Sequence, residues 1–237
     1  MIYAQKVFCR WFFIKIVITG SLQGGKSSYI KYLNNKSLNV QVKGRDNKNY
    51  TVGMDLAPIK LNGFDIFLFG CPGLLRFQVM RDVISSGADG FIFIFDAANP
   101  ETDKNARIML NSLKIVHVPI VFMANKQDLK DARSPEIVKS QNSLPEDCKI
   151  FPSSTKTGLN IKESIIYLVN EIYENYKDLL TLLPNYESDI RGLAGVLEKD
   201  KSQMRDLLNN LEVRRFIEID RINRTYKVRK GLKNIAL

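Results

Sequence analysis

The chain has few cysteines, no internal repeat and no low-complexity segment, and these shortages exclude several kinds of protein. Its 237 residues contain three cysteines, Cys9, Cys71 and Cys148, which are widely spaced and odd in number. Such a pattern argues against a disulfide framework or a zinc site. It favours a protein of a reducing compartment, and the expected location is the cytoplasm.

The sequence also lacks an uncharged apolar run close to the ~20 residues that cross a membrane. Three basic residues interrupt the apolar first 18 residues, namely Lys6, Arg10 and Lys15. This stretch also lacks the small-residue cleavage site of a signal peptide. We therefore expect an early extension of the first strand here, and a peripheral amphipathic helix over residues 7–12 is the alternative.

The net charge of +10 is not gathered in one block. Residues 1–176 carry an excess of +6 and residues 177–237 an excess of +4. The charge therefore permits an anionic partner without requiring one. With 45% hydrophobic and 25% charged residues, the chain has the composition of a globular protein that is long enough for one full α/β domain and a smaller one.

A glycine-rich stretch between an apolar run and a helical segment is the strongest single motif. Residues 20–27 read Gly-Ser-Leu-Gln-Gly-Gly-Lys-Ser and fit the phosphate-binding pattern G-x-x-x-x-G-K-[ST]. The backbone N–H groups of such a loop, and the start of the following helix, converge on phosphate oxygens. Lys26 would reach the β- and γ-phosphates, and the Ser27 hydroxyl would take one position on Mg²⁺. The nucleotide contacts predicted in this stretch are Gly20, Gln23, Gly24, Gly25, Lys26, Ser27 and Ser28.

Apolar runs alternate with helical segments over the first 176 residues, which predicts a doubly wound α/β fold. The run 91–95 is apolar on both faces, as a central parallel strand must be, and Asn62-Gly63 signals a hairpin with an antiparallel edge strand. We predict a mostly parallel six-stranded sheet of the P-loop NTPase class, with strands at 12–18, 54–61, 64–69, 91–95, 119–124 and 150–151. Predicted helices lie at 29–38, 74–85, 107–113 and 136–142, and residues 39–50 are expected to form a loop.

A second motif, Asn-Lys-Gln-Asp at residues 125–128, follows the predicted strand 119–124, at the carboxyl end where open α/β sheets bind ligands. A carboxylate there accepts two parallel hydrogen bonds from guanine N1–H and the 2-amino group, which adenine cannot supply. Asp128 is therefore predicted to select guanine. Asn125 would brace the loops and Lys126 would lie over the base plane. After the last strand, the pocket would be closed by Ser154, Thr155 and Lys156.

Together these motifs resemble the Ras-like small GTPases over residues 12–176. Residues 125–129 are especially similar to the Arf branch, and residues 154–160 are similar to the guanine motif S-A-K-x-G-x-N. Thr51-Val52-Gly53 matches switch I, so the resemblance implies that Thr51 meets Mg²⁺ and the γ-phosphate when GTP is bound. It assigns Lys26, Thr51 and Gly73 to the catalytic positions beside that phosphate. The switch II helix spacing is matched by Phe77, Met80, Arg81 and Asp82.

The chain departs from this family at the start of switch II. The family usually has Asp-x-x-Gly there, and this chain has Gly70-Cys71-Pro72-Gly73, so the carboxylate that holds a Mg²⁺-bound water is missing. The variant resembles a prokaryotic branch near the gliding-motility (Mgl) type. Asp55, four residues after Thr51, is either a substitute for that carboxylate or an ordinary aspartate at a strand edge.

Leu74 is the second departure, because it stands where the family places the glutamine that orients the attacking water. An apolar side chain cannot orient or polarise water, and positioning with electrostatics supplies nearly all the catalysis of phosphoryl transfer. Slow intrinsic hydrolysis is therefore expected. A partner would complete the site, or Arg45 or Arg76 would act as an internal arginine finger.

The residues after 176 form a tail that ordinary small GTPases lack, and we assign residues 177–237 to a second domain. Apolar positions recur at helical spacing from 161 up to Pro184, so the last GTPase helix is expected to run directly into this domain. Predicted helices at 189–197 and 201–211, with strands at 216–219 and 225–228, resemble a winged helix-turn-helix fold.

Two uses of such a tail remain open. In DNA binding, the helix 201–210 would enter the major groove. Its base-facing side chains would be Ser202, Gln203, Arg205 and Asn209, and the phosphate-facing ones Arg221 and Arg224. Asp206 would bring the wrong charge to the groove, and winged helices also dock proteins, so protein docking is favoured.

The leading prediction is a cytoplasmic guanine-nucleotide switch, in which GTP and Mg²⁺ order residues 39–55 and 70–82. Its expected partner is a protein effector or regulator. The alternatives are a nucleotide-responsive DNA-binding regulator and a scaffold that binds nucleotide with negligible hydrolysis.

Overall fold

The computed structural model describes residues 14–38, 41–43, 49–51, 54–61, 64–113, 118–213 and 216–228, with backbone alone for 41–43, 49–51 and 213. The chain divides into two compact units. The larger unit consists of residues 14–61 and 66–177. The smaller unit includes residues 62–65 and the chain from residue 178 onward.

One six-stranded sheet organises the larger unit. Its strands lie in the order β4-β5-β1-β6-β7-β8, and all are parallel except for β4. This confirms the predicted fold class. Within the described residues, the strands up to residue 152 are β1 (Ile14–Gly20), β2 (Gln41–Lys43), β3 (Asn49–Thr51), β4 (Asp55–Leu61), β5 (Phe64–Gly70), β6 (Gly90–Asp96), β7 (Ile120–Asn125) and β8 (Ile150–Pro152).

The centre of the sheet forms where the sequence is apolar on both faces. Every residue of β6 is buried, and the rings of Phe93, Phe95 and Phe122 pack with centroids 4.9 to 6.2 Å apart. Parallel register places Ile18 beside Gly70 and Asp96 beside Asn125. The ends of β5, β6 and β7 therefore meet at one carboxyl edge, where a parallel sheet presents its ligand site.

Helices flank this sheet, and one of them secures the segment that follows β1. Tyr29 is buried, and its hydroxyl lies 3.0 Å from Ser164 Oγ. This contact fixes the first helix against the fifth, close behind the glycine-rich loop. In the described part of the chain, the helices up to residue 182 are α1 (Lys26–Leu33), α2 (Gln78–Ser85), α3 (Asp103–Ser112), α4 (Pro135–Gln141) and α5 (Ile161–Leu182).

The predicted helix 29–38 is wrong at both ends. α1 begins at Lys26, and it ends at Leu33 because Asn34 turns to an extended backbone with φ −147°. Leu38 instead forms a β-bridge with Leu56, with hydrogen bonds in both directions. The pairing with β4 therefore prevails over the helical propensity of these residues.

Two other predicted segments also differ from the structure. The expected loop 39–50 contains β2 and most of β3, which pair with each other in an antiparallel ribbon. The third helix begins at Asp103, four residues before the predicted start, because Pro100 opens a short 3-10 turn that leads into it. A similar 3-10 turn, Leu75–Phe77, precedes α2.

The smaller unit contains two helices and a hairpin after the end of α5. The hydroxyl of Tyr226 donates to the carbonyl oxygen of Leu183 at 2.7 Å, and its backbone N–H donates to that of Glu187. These bonds tie the hairpin to the segment that follows α5. No helix in the described part of the chain is long and apolar enough to span a bilayer. The elements are α6 (Ile190–Val196), α7 (Lys201–Val213), β9 (Ile217–Asp220) and β10 (Thr225–Val228).

Candidate nucleotide site

The glycine-rich loop of residues 20–27, predicted to bind phosphate and called the phosphate-binding loop below, joins β1 to α1 and turns at Gly25. This residue has φ +106°, which residues with a Cβ rarely adopt. A Cβ here would also lie only 2.3 Å from Asn125 Nδ2. α1 begins directly after this turn, so the loop ends at the N-terminus of a helix, where the first N–H groups have no partner within the helix and an anion binds readily.

Lys26 is folded beneath the loop. Its Nζ donates to the carbonyl oxygens of Gly20 at 3.0 Å and Ser21 at 2.6 Å, and burial lowers the pKa of its ammonium to about 8. An ionised phosphate oxygen attracts an ammonium more strongly than a neutral carbonyl oxygen does, because the two opposite charges also attract each other. The ammonium is thus placed to exchange these carbonyls for phosphate oxygens.

The segment after β5 lies next to Lys26. A Cβ at Gly73 would be 2.8 Å from Lys26 Nζ, so the Gly73 backbone borders the place predicted for phosphate. The buried Arg81 of α2 donates to the carbonyl oxygens of Leu74 at 2.7 Å and Leu75 at 3.1 Å. Arg81 therefore fixes the backbone of Leu74, whose half-buried side chain offers no hydrogen-bonding group.

Asn125, the last residue of β7, joins two loops. Its Nδ2 donates to the Gly24 carbonyl oxygen at 2.7 Å, and its Oδ1 accepts from the Thr155 N–H at 3.0 Å. The side chain is buried, so each of these groups would lack a partner without the others. The phosphate-binding loop and the two loops predicted to hold the base thus form one site.

Asp128 is held as an ionised acceptor. The Ser154 hydroxyl donates to its Oδ1 at 2.6 Å, and this bond is the largest cause of a lowered pKa for the carboxyl. Lys156 Nζ lies 3.8 Å from Oδ2 and lowers that pKa further. An ionised carboxylate accepts hydrogen bonds only, as the two parallel N–H donors of guanine require.

Two residues near Lys126 were missed by sequence reasoning. Lys126 Nζ lies 2.5 Å from Oδ2 of the buried Asp96 at the end of β6. Arg133 donates to the Asp96 carbonyl oxygen at 3.0 Å. The available signal was the position of Asp96, a lone carboxylate that ends a wholly apolar strand at the ligand edge.

Ser27 and Asp55 meet on the other side of the loop. The Ser27 hydroxyl donates to Asp55 Oδ2 at 2.6 Å, and Asp55 is only 1% exposed. A Cβ at Gly70 would lie 2.8 Å from Asp55 Cβ and 2.9 Å from Asp55 Oδ2. The Asp55 carboxylate thus occupies the space that a side chain at position 70 would need.

This pair of oxygens fits the chemistry of Mg²⁺. Magnesium prefers oxygen ligands and is commonly held by one or two protein groups together with substrate phosphates and water. Ser27 and Asp55 would supply the protein share, next to the loop predicted to hold the phosphates. Within the described ranges, no group of three or more His, Cys, Asp or Glu residues is arranged to hold a metal ion.

The remaining predicted site residues are exposed or have side chains that lie outside the described residues. Gln23 and Ser28 are exposed at the loop and the first turn of α1. Thr51 ends β3, and its side chain lies outside the described residues, as does Arg45. Arg76 is exposed, with its guanidinium 5.0 Å from the centroid of the Phe77 ring.

Comparison with known proteins gives matches over the same region. The sequence model of the Ras family matches residues 15–174. The chain is 28% identical over 173 residues to ADP-ribosylation factor-like protein 3 of Saccharomyces cerevisiae, covering 68% of this chain and 87% of that protein. It is 27% identical over 172 residues to the mutual gliding-motility protein MglA of Myxococcus xanthus, covering 64% of this chain and 86% of that protein.

The lowered pKa of Lys26 predicts proton uptake when a nucleoside diphosphate binds. Without nucleotide, burial lowers the pKa of the Lys26 ammonium to about 8. The negative charge of bound phosphates raises that pKa again. The affinity for GDP should therefore fall between about pH 7.5 and 9, by up to about tenfold per pH unit. Calorimetry in buffers of different ionisation enthalpy should show an uptake that grows with pH. Lys26→Arg, which stays charged, is the control, and equal uptake by that variant would contradict the assignment.

Proposed function

Because the chain belongs to the Ras family, we propose that it is a guanine-nucleotide switch with slow, partner-dependent GTP hydrolysis. Proteins of this family bind GTP and GDP with Mg²⁺ and hydrolyse GTP. In the proposed cycle, GTP and Mg²⁺ order the two switch segments, and hydrolysis or exchange releases them. The C-terminal unit passes this state to a protein partner.

The Asn125 side chain is the observation that carries this proposal. It hydrogen-bonds Gly24 of the phosphate-binding loop and Thr155 of the loop that faces Asp128. A nucleotide has a phosphate end and a base end, and one buried amide connects the parts of the site suited to each. The ionised Asp128 then supplies the preference for guanine over adenine.

Replacement of Asp128 tests base recognition. Asp128→Ala removes the acceptor of the guanine N–H groups, so the affinity for GDP and GTP should fall about a hundredfold or more, with little change for ATP. Titration with fluorescent GDP, GTP and ATP measures this preference. Asp131→Ala changes an exposed aspartate three residues further along and should have no effect. Equal affinity of the parent protein for ATP and GTP would refute the guanine assignment.

The metal side of the site is proposed to use Asp55 in place of the missing switch II aspartate. Support comes from the Ser27 hydroxyl, 2.6 Å from Asp55 Oδ2, and from the short distances between Asp55 and a Cβ placed on Gly70. The Asp55 carboxylate on β4 would thus take the place of the aspartate that the family usually has at position 70. The glycine at the end of β5 leaves the space that this carboxylate needs.

An exchange of the two residues tests this assignment. GDP release from the parent should accelerate when Mg²⁺ is chelated, and Asp55→Gly should abolish most of that acceleration, because the metal loses its carboxylate. Gly70→Asp alone should destabilise the protein through the close contact with Asp55. The double variant Asp55→Gly with Gly70→Asp should regain the Mg²⁺ dependence. An unchanged response to chelation in Asp55→Gly would make Asp55 an ordinary strand-edge aspartate.

Slow hydrolysis is proposed because Leu74 stands at the water-orienting position of the family. Arg81 holds the Leu74 backbone in place, yet the leucine side chain cannot accept a hydrogen bond from water. The chain's own residues then bind and orient the nucleotide, while a protein partner would supply the groups that position water.

Single-turnover kinetics test this point. At saturating GTP and without any partner, the hydrolysis rate should stay below ~0.1 s⁻¹, since cis or trans catalytic groups are what raise such rates. A faster intrinsic rate would show that the chain contains its own water-positioning group, with Arg76→Ala as the first variant to examine. Undetectable turnover with any added cell fraction would instead favour a nucleotide-binding scaffold.

The tail is proposed to be a winged-helix module that docks protein. Residues 178–213, which contain the candidate recognition helix, have seven acidic and four basic residues, whereas residues 214–237 have eight basic and two acidic ones. Arg221 of the hairpin is paired with Glu212 at 2.5 Å. The helix that would enter a DNA groove is thus in the acidic part of the tail, which favours a protein partner over DNA.

Coupling between tail and nucleotide is supported by Phe64. This first residue of β5 belongs to the same compact unit as the tail, and its ring packs edge-on against Phe216 with centroids 6.2 Å apart. The last residue of the same strand is Gly70, which adjoins the proposed metal residue Asp55. Hydrogen exchange at residues 216–228 that is identical with GDP and with a GTP analogue would contradict this coupling.

A mobility-shift assay across salt concentrations separates the two uses of the tail. Under the docking proposal, duplex DNA should bind weakly and without sequence preference. Specific DNA binding by contrast requires an affinity that falls steeply with salt and varies with sequence. Such a result, if it depended on Arg205 and Asn209 of α7, would replace docking by DNA recognition.

A further inference from the structure

Lys126 is held by a carboxylate that lies outside both nucleotide motifs. Its Nζ is 2.5 Å from Asp96 Oδ2, with the lysine side chain 32% exposed and the aspartate side chain 2% exposed. Asp96 ends β6 and pairs in register with Asn125 of β7. The strand pairing therefore brings this carboxylate beside the residue that follows Asn125.

Asp96 is itself braced from behind by Arg133. The guanidinium donates to the Asp96 carbonyl oxygen at 3.0 Å and to the Ala97 carbonyl oxygen at 3.1 Å. It also forms a two-pronged pair with the Asp103 carboxylate of α3 at 2.6 and 3.1 Å. Since both ends of this pair are largely buried, the end of β6 is fixed to α3 by charged hydrogen bonds.

This arrangement solves a physical problem of the base pocket. A lysine that lies along a base plane has a long flexible stem, and holding that stem in one conformation costs entropy. A buried carboxylate bonded to the ammonium holds the lysine in one conformation before the nucleotide binds, so less entropy is lost on binding. The apolar stem of Lys126 is then presented to the base in advance, as preorganised binding groups generally are.

We propose that Asp96 is a positioning residue for guanine-nucleotide binding, which acts by fixing the ammonium of Lys126, and that Arg133 keeps Asp96 in place. The inference rests on the proposed guanine-nucleotide function and extends it to residues outside the recognised motifs. Asp128 reads hydrogen-bond donors of the base, whereas Lys126 contacts its face. The contribution of Asp96 is therefore independent of the guanine 2-amino group.

A double-mutant cycle between Asp96 and Lys126 tests the proposal. The rate of release of fluorescent GDP is measured for the parent, Asp96→Asn, Lys126→Ala and the double variant. Asp96→Asn should speed release by about tenfold or more in the parent, because the ion pair between Asp96 and Lys126 is lost. In the Lys126→Ala background the same change should speed it less than about twofold. An equal acceleration in both backgrounds would overturn the proposal.

The base analogue gives a second readout that a merely structural role would not produce. Inosine diphosphate lacks the 2-amino group, so Asp96→Asn should speed its release by the same factor as that of GDP. Asp128→Ala should instead reduce the preference for GDP over inosine diphosphate. A loss of that preference in Asp96→Asn would place Asp96 in donor recognition and overturn its role through Lys126.

Arg107 offers a matched control for Arg133. Its guanidinium donates to the Gln141 carbonyl oxygen and the Asn142 side chain. Arg107 therefore also links α3 to the end of α4, but it does not contact Asp96. Arg107→Gln should leave GDP release unchanged. Arg133→Lys should speed it, again only when Lys126 is present, and this variant serves if Asp96→Asn does not fold. If Arg133→Lys speeds release equally in the Lys126→Ala background, the brace is wrong.

Measurements on the parent protein distinguish failure of the positioning proposal from failure of the guanine-nucleotide function on which it rests. A parent that fails to bind GDP would refute the guanine-nucleotide function itself. A parent that binds GDP, together with an Asp96→Asn variant that releases it at the parental rate, would refute the positioning role alone.

Discussion

The buried amide of Asn125 is the contact on which the nucleotide site depends. An asparagine side chain offers a donor and an acceptor on adjacent atoms, and here one meets a carbonyl oxygen and the other an N–H from distant loops. A leucine of the same size would lose both of these bonds, and an aspartate would leave the Gly24 carbonyl oxygen without its donor. The glycine turn at residue 25 follows from the same constraint, because the amide occupies the space beside it.

The order of motifs along the chain allowed much of this site to be predicted. Residues 20–27 and 125–128 have fixed spacing and adjoin apolar strands, so local sequence defines their place at a sheet edge. Their mutual contacts depend on the strand order, which no single segment reveals. Asp96 escaped notice for this reason, since it resembles an ordinary charged residue until the register of β6 with β7 brings it beside Lys126. Arg133 escaped notice because its contact is with the Asp96 carbonyl oxygen.

The two segments of residues 29–50 that were predicted wrongly have different causes. Residues 34–38 have a helical pattern, but pairing between Leu38 and Leu56 competes with it and prevails. The strands in residues 41–51 are three residues long, too short for a period of two to be recognised. The role proposed for Asp55 at the metal depends on the same kind of information, because Gly70 taken alone indicates only that the usual carboxylate is missing. The structure shows a carboxylate from β4 in the adjoining space.

The unbroken helix α5 determines which kinds of sequence change this part of the chain can accept. Its 22 residues, Ile161–Leu182, contain no loop, and each residue inserted into a helix turns the residues after it by about 100°. An insertion or deletion near its start would therefore rotate the buried side chains of Ile165, Leu168 and Ile172 away from their present neighbours, whereas loops tolerate such changes well. α5 is thus expected to accept substitutions on its exposed face and to keep its length.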